Sequence, residues 1–452
     1  MKRPLVLASL LALGTATLLS AQTGLTIYQD GRVLVRRTLP LQLPQGASSH
    51  RLALGPLDPA SLFALDPEVT LTGAHYDDAV DEPSTMRRAV GRTLVFDTGA
   101  AGQGMPQTVE AEVLGVDPER FRLAGGEITF SRPGRPRYPA DLVQLAPTTS
   151  ALVRTTRARE NLALGFFTSG ASWQAAYQVV LSSSGARVSG LALIAAATLA
   201  ADDAEVQLLA GEVGRAKATG ARPMLMAARE AADAMPAAPY EEAVGEAHLY
   251  SLAGRLTLRP GTSTTTMLFE PAVAPWERSF TVRGQVPWAG PLMQYGEEGE
   301  VPVEVGYLLR RPRSGGFGER PLPAGTWRLY QADAAGRLQL IGESSSGHSA
   351  PGSDVQLSAG EAFDLKARRI QTDYSTRRDS SRTVASATYR VTVTNARDSA
   401  ATVDVLEERR GEWSILESSV PAEKLSSTRT RFRLRVPARG EAVLSYRIRV
   451  VW

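Results

Sequence analysis

The sequence predicts an all-β fold, built as tandem antiparallel β-sandwich domains with one Ala/Met/Pro-rich insertion that is helical or disordered. Three observations predict it. Apolar and polar residues alternate over short segments along most of the chain, turn residues separate these segments, and a single stretch breaks the pattern.

The alternation is clearest near the C-terminus. Phe432, Leu434 and Val436 alternate with Arg431, Arg433 and Arg435, and Tyr389, Val391 and Val393 alternate with Arg390, Thr392 and Thr394. Leu444, Tyr446, Ile448 and Val450 alternate with Ser445, Arg447 and Arg449. One apolar and one polar face is the signature of a half-buried antiparallel strand. Turn signals at 395–398 and 437–440 separate these runs. Residues 327–330 and 338–341 flank Asp333-Ala334-Ala335-Gly336, which predicts a hairpin with glycine in its turn. Residues 355–357 and 362–365, around a turn at Ser358-Ala359-Gly360, read as the next pair. At the other end, 25–28 and 33–35 flank Asp30-Gly31, and further strands are expected at 93–96, 109–114 and 122–130.

Residues 214–246 depart from this pattern. They are rich in alanine and contain Met224, Met226 and Met235 among Pro223, Pro236 and Pro239, which predicts a loose helix or a disordered connector. Methionines near His248 would suit a soft metal, but no second histidine or ligand spacing accompanies them, so no metal and no cofactor are expected.

The chain opens with Lys2 and Arg3, an apolar run over 5–19 and Ser20-Ala21-Gln22, which predicts a signal peptide over 1–21 cut after Ala21. The run is shorter than the ~20 residues of a spanning helix, and no transmembrane helix is expected once the leader is gone. The expected divisions are an N-terminal β domain at 22–150, a central β domain at 151–300 carrying the insertion, and a C-terminal β-sandwich at 301–452. The expected location is the periplasm or cell envelope.

Composition narrows the chemistry. Cysteine is absent, which excludes disulfides, thiolate metal sites and thiol nucleophiles. Without Lys2 and Arg3 the chain carries 48 basic against 47 acidic groups, a balance that argues against a nucleic-acid partner. Four histidines, His50, His75, His248 and His348, are far apart in sequence and form no two-histidine metal motif. The nearest approach to a nucleophile elbow is Gly342-Glu343-Ser344-Ser345-Ser346-Gly347-His348. It fails the G-x-S-x-G spacing at Ser346 and is expected to be a loop between strands. Gly315, Gly316 and Gly318 lack the features of a phosphate-binding loop and read as a flexible turn. Asp77, Asp78, Asp81 and Glu82 offer hard-cation ligands without an EF-hand register, and a solvated loop is expected there. Arginine is dense over 366–382. Arg368, Arg369, Arg377 and Arg378 are the candidate binding residues, because guanidinium forks grip phosphate and carboxylate in pairs.

Ser172-Trp173-Gln174-Ala175-Ala176-Tyr177, then Val206-Gln207-Leu208-Leu209-Ala210-Gly211-Glu212-Val213, together resemble the DUF4139 family of bacterial proteins. The resemblance continues through Leu249-Tyr250-Ser251-Leu252, through 321–330 with Gly325, Trp327 and Tyr330, and through 360–365, and spans 25–452. It implies a β-rich exported fold and lends no catalytic residues. The family's turn near His348-Ser349-Ala350-Pro351 is longer by one residue here. Trp173, Tyr177, Trp327 and Tyr330 are open to two readings, a glycan-stacking platform or core aromatics, and their place on alternating strands favours the core. The expected function is a non-catalytic exported envelope protein, structural or interacting with another envelope protein or polymer. The alternatives are an outer-membrane barrel-associated protein, prompted by the aromatic end of the last strand at Trp452, and a secreted hydrolase using Ser346 and His348.

Overall fold

The computed structural model describes residues 22–99, 107–214, 239–284, 291–294, 299–314, 316–379 and 382–452. It is 67% strand and 3% helical, so the all-β expectation holds. The expected leader and residues 215–238 of the expected insertion, with Met224, Met226 and Met235, lie outside the described residues.

Three sheets, joined by Tyr307, Leu309, Val355 and Leu357 from a fourth, share the largest core. The first has seven strands. At its centre Gln22–Tyr28 runs parallel to Ala201–Ala210 and antiparallel to Arg32–Leu43, with Arg159–Ser169 beyond and Ala247–Leu258 on the other flank. The second pairs Thr148–Thr155 with Gly46–Leu52 and Val69–Asp77. The third has the order Thr262–Ala274, Gly185–Ala196, Ala171–Ser182, Gly325–Ala332, Leu338–Ser346. Between Val69–Asp77 and Thr148–Thr155 the chain forms a separate small unit. The helix Glu82–Arg88 covers a five-stranded sheet, and Met86 joins Phe96 and Phe121, whose rings meet edge to face at 5.4 Å.

The C-terminal part is a sandwich with its own core. Its six-stranded sheet has the order Val355–Glu361, Glu304–Leu309, Trp276–Arg283, Ala401–Glu408, Arg429–Val436, Ala422–Ser426. Its five-stranded sheet has the order Glu300–Val301, Leu365–Asp379, Arg382–Asn395, Gly440–Val451, Glu412–Ser418. The apolar faces read from alternation pack inward here. Phe432, Val436, Tyr389, Val391, Val393, Leu444 and Ile448 are each 0% exposed. Their alternating arginines and threonines face outward.

Several expectations are corrected. The cuts at 150 and 300 do not separate cores, because Gln22–Tyr28 sits between strands from the expected N-terminal and central domains. Trp276–Arg283 belongs to the C-terminal sandwich, whereas Gly325–Ala332 completes the central sheet against Ala171–Ser182. Cores form where apolar faces meet across long sequence separations, and composition breaks do not mark those meetings. The end of the expected insertion is ordered as a hairpin, with Tyr240–Val244 on Ala247–Leu258 around Gly245 at φ +61°. Val355–Glu361 is one strand paired with Glu304–Leu309, and Leu365 opens a strand of the opposing sheet, so the expected hairpin there does not exist. The serine run 344–346 lies in the edge strand Leu338–Ser346, where a loop was expected.

Among the described residues no sheet closes on itself. Gly440–Val451 is flanked on both sides, by Arg382–Asn395 and Glu412–Ser418, and its apolar face lies in the sandwich core. No helix among the described residues is long and apolar enough to cross a membrane.

Candidate functional site

The family-motif residues come together as internal anchors. Ala171–Ser182 buries every second side chain, so Trp173, Tyr177 and Val179 face the core. Gly325–Ala332 runs parallel beside it with Trp327 opposite Tyr177, and the two rings stack 4.0 Å apart at 17°. The strands approach so closely that a Cβ at Gly325 would sit 2.3 Å from the Ala175 carbonyl oxygen. The buried polar tips all find backbone or hydroxyl partners, as burial demands. Trp173 Nε1 donates to the Leu209 carbonyl at 3.1 Å, the Tyr177 hydroxyl to Pro323 at 2.7 Å, and the Tyr250 hydroxyl to Pro321 at 3.1 Å. Tyr330 departs from the core reading, since it is half-buried on the opposite face of its strand. Gly211 ends its strand at φ +115°, where a side chain would be strained.

Ser346 and His348 serve this same frame. The Ser346 hydroxyl accepts from Trp327 Nε1 at 2.8 Å, and His348 Nδ1 accepts from the Ala324 amide at 3.2 Å. Ser346 fixes Trp327 and His348 fixes Ala324 just before that strand, and among the described residues no hydrogen bond joins the two. The fully buried Arg311 donates to the carbonyls of Phe317, Arg320, Ala350 and Ser353 and to Ser349 Oγ. Replacing Ser346 with Ala should therefore act on stability, lowering it by about 1–3 kcal/mol because the buried Trp327 N–H loses its acceptor. Chemical denaturation of the S346A protein checks this.

The other titratable candidates are likewise engaged in structure. Asp81 caps the helix at the Ser84 amide (2.8 Å), and Asp77 faces Arg88 at 3.4 Å. His248 Nδ1 bonds Glu241 at 2.6 Å, and His50 Nε2 bonds Ser48 at 2.8 Å.

Of the candidate arginines, Arg369 is wholly buried while Arg368, Arg377 and Arg378 are exposed along Leu365–Asp379, so the four do not converge on one site. Arg369 lies between the sandwich's two sheets. Its guanidinium carbon is 3.7 Å from the centre of the Tyr389 ring, its Nη2 is 3.3 Å from Glu407 and it donates to the Tyr446 hydroxyl at 3.0 Å. That hydroxyl donates in turn to Glu407.

Burial, joined by the Glu407 charge, pushes the Tyr446 hydroxyl well above its ordinary value, and burial raises Tyr177 and Tyr250 in the same direction. Tyr138 is pushed up to about 12, by burial first and then by Glu82. Stability held by these neutral phenols is complete below the unfolded tyrosine value of about 10 and is lost as pH rises through the folded values. Asp81, Asp333 and Asp354 are held low, chiefly by hydrogen bonds to Ser84, Arg337 and Arg311 respectively. Their contribution is present above about pH 3.9 and is lost as pH falls further. The melting temperature should be nearly flat between about pH 5 and 9 and fall on both sides, which a pH series of thermal melts will show.

The residues that define an open site lie on the outer face of the six-stranded sheet. A cleft of about 830 Å³ runs across it, lined by Arg283, Arg310, Arg429, Arg431 and Arg433, by Glu277, Glu304 and Asp404, and by Ser279, Thr281, Gln356, Ser358 and Thr402, with Arg278 and the buried Phe280 bordering it from the opposite face of their strand. Alternation places them there. The positions between Phe432, Leu434 and Val436, and those between Val403 and Val405, point outward. Gly306 deepens the floor, since a Cβ there would lie 2.6 Å from both Ser279 Oγ and Gln356 Nε2. Most of the arginines are neutralised in place. Arg283 faces Glu304 at 3.0 Å and Glu408 at 3.2 Å, Arg310 faces Asp354 at 2.8 Å, Arg431 faces Glu423 at 2.7 Å, and Arg433 faces Asp404 at 3.1 Å. The result is a lattice of fixed hydrogen-bonding groups with little net charge.

Arg431 and Arg433 were visible in the sequence as the outer face of a strand. The acids and serines facing them come from strands far away in the chain, and no local signal pointed to them. No family model matches the chain, and no curated protein matches it. The fold and site themselves define the class, an all-β protein of several packed sheets with an open polar cleft on its C-terminal sandwich.

Proposed function

We propose that this is a non-catalytic, exported binding module of the cell envelope, a member of the DUF4139 family, that holds an extended polar segment of another envelope protein or polymer. The observation that carries the reading is the cleft on the outer face of the six-stranded sheet. It is long, open, and walled by paired arginines and carboxylates, with serine, threonine and glutamine side chains between them. Ion pairs of this kind fix the arginines in place and leave N–H groups to donate, so the cleft suits a ligand rich in hydroxyls and amides more than a bare polyanion.

Co-sedimentation of the purified full chain with isolated envelopes tests the proposal. The wild-type chain should pellet with the envelopes. Thr402→Trp, which puts a large side chain at an exposed position of the cleft, should reduce the pelleted fraction several-fold without lowering the melting temperature. Equal pelleting of the two proteins, or no pelleting of either, would refute the reading.

A further inference from the structure

Two arginines meet around the ring of Phe280. Arg278 sits two residues before Phe280 on the same strand, hence on the same face, and its guanidinium carbon is 5.3 Å from the centre of the Phe280 ring. Arg397 approaches that ring from the turn after Arg382–Asn395, at 4.4 Å. Among the described residues neither guanidinium has a carboxylate within ion-pair distance. This contrasts with Arg283, Arg310, Arg431 and Arg433 in the adjoining cleft, and with Arg439, which pairs with Asp398 at 2.6 Å beside the same turn.

The turn that carries Arg397 is held firmly. Asn395, 1% exposed, donates to the carbonyls of Ser399 and Pro437 at 2.9 Å and accepts from the Arg397 amide at 3.0 Å, while the Arg439 amide donates to the Arg397 carbonyl at 3.0 Å. Arg278 is fixed at the other side by its strand, in register with Tyr307. Two cations attached to rigid backbone around one ring repel each other, and the ring's attraction for each, about 0.5–1 kcal/mol, does not neutralise them. Burial first, and then the Arg278 charge, hold Arg397's guanidinium below its ordinary range, against the Asp364 carboxylate, which acts in the other direction from beyond ion-pair distance. Arg397 nonetheless stays charged at neutral pH.

The geometry points to an anion-binding site formed by Arg278 and Arg397 around Phe280, at the border of the cleft, which takes a phosphate or carboxylate group. A single anion between the forks would accept hydrogen bonds from both guanidinia and remove their repulsion. Arg278 and Phe280 both border the cleft, so a charged group at the edge of a ligand lying in the cleft would come next to the pair. The site stands on the pair's own geometry. Only its place in envelope recognition rests on the binding reading proposed above.

The test is titration of the ¹⁵N-labelled full chain with inorganic phosphate and, separately, with succinate, following the arginine Nε–H signals. Whichever anion the site accepts should shift the Arg278 and Arg397 signals together. Arg278→Gln and Arg397→Gln should each weaken that binding at least tenfold, and the double variant should abolish it, whereas Arg137→Gln in the distant small unit should leave it unchanged. Response to phosphate alone marks a phosphoryl ligand, and response to succinate alone marks a carboxylate. The Arg278→Gln protein should melt no lower than wild type in the absence of anion, because it loses a repulsion, whereas a purely structural arginine would lower the melting temperature. Silence to both anions, or shifts that persist in the double variant, would overturn the site. If envelopes are still bound while both titrations are silent, the anion site alone is wrong. If the anion binds and envelopes do not, the site stands and the envelope reading fails.

Discussion

Replacing Glu407 with alanine should lower the stability of the chain by about 3–5 kcal/mol, the cost of leaving a buried charge without its counter-charge. Arg369 is 0% exposed and Glu407 1% exposed, so water cannot take the carboxylate's place without opening the sandwich. The Tyr446 hydroxyl, which donates to Glu407, would lose its acceptor as well. The chain has made room for this carboxylate, since Gly284 lies against it and a Cβ there would fall 2.1 Å from Glu407 Oε1. The pair's net worth is a different quantity from the cost of breaking it. Arg369→Met combined with Glu407→Leu removes both charges while keeping much of the volume, and should recover most of the loss. Urea unfolding of the full chain, followed by circular dichroism, measures both. An E407A protein within about 1 kcal/mol of wild type would show that the charge pair is not the keystone described here.

The strands of this protein were legible and their partners were not. Phe432, Leu434 and Val436 declare a strand by alternation alone, because the period of two is written into neighbouring residues. Nothing local to Leu25 or Ile27 shows that their strand will lie between Ala201–Ala210 and Arg32–Leu43, so a domain cut at 150 was drawn through a continuous sheet. The same limit applied to function. Arg369 belongs to a run of arginines that reads as candidate binding residues, yet its alternation with Leu365 and Ala367 on one face already placed it inward. Its carboxylate partner arrives from another sheet. Arg278 and Arg397 are ordinary residues in sequence, and only the crossing of strand and turn over Phe280 sets them apart.

Replacing Trp327 with alanine should cost about 3–5 kcal/mol, the range for emptying a buried aromatic site. Trp327 is 0% exposed, and its ring is stacked on Tyr177, which is 1% exposed, across two parallel strands. Those strands cannot close on the void easily, because Gly325 and Ala175 already touch through backbone atoms at one end of the pair. The Tyr177 hydroxyl is also pinned to the Pro323 carbonyl, which prevents the ring from swinging into the space. The cavity would therefore stay largely open, and the cost should lie toward the upper part of that range. Trp327→Phe separates the contributions. It keeps a ring to stack on Tyr177 and leaves Ser346 without its donor, so it should cost clearly less than alanine, and adding Ser346→Ala to it should cost little more. If the Phe variant is as unstable as the Ala variant, the Nε1 hydrogen bond outweighs ring packing. If the Ala variant loses less than about 1 kcal/mol, the two strands are not held together through this stack.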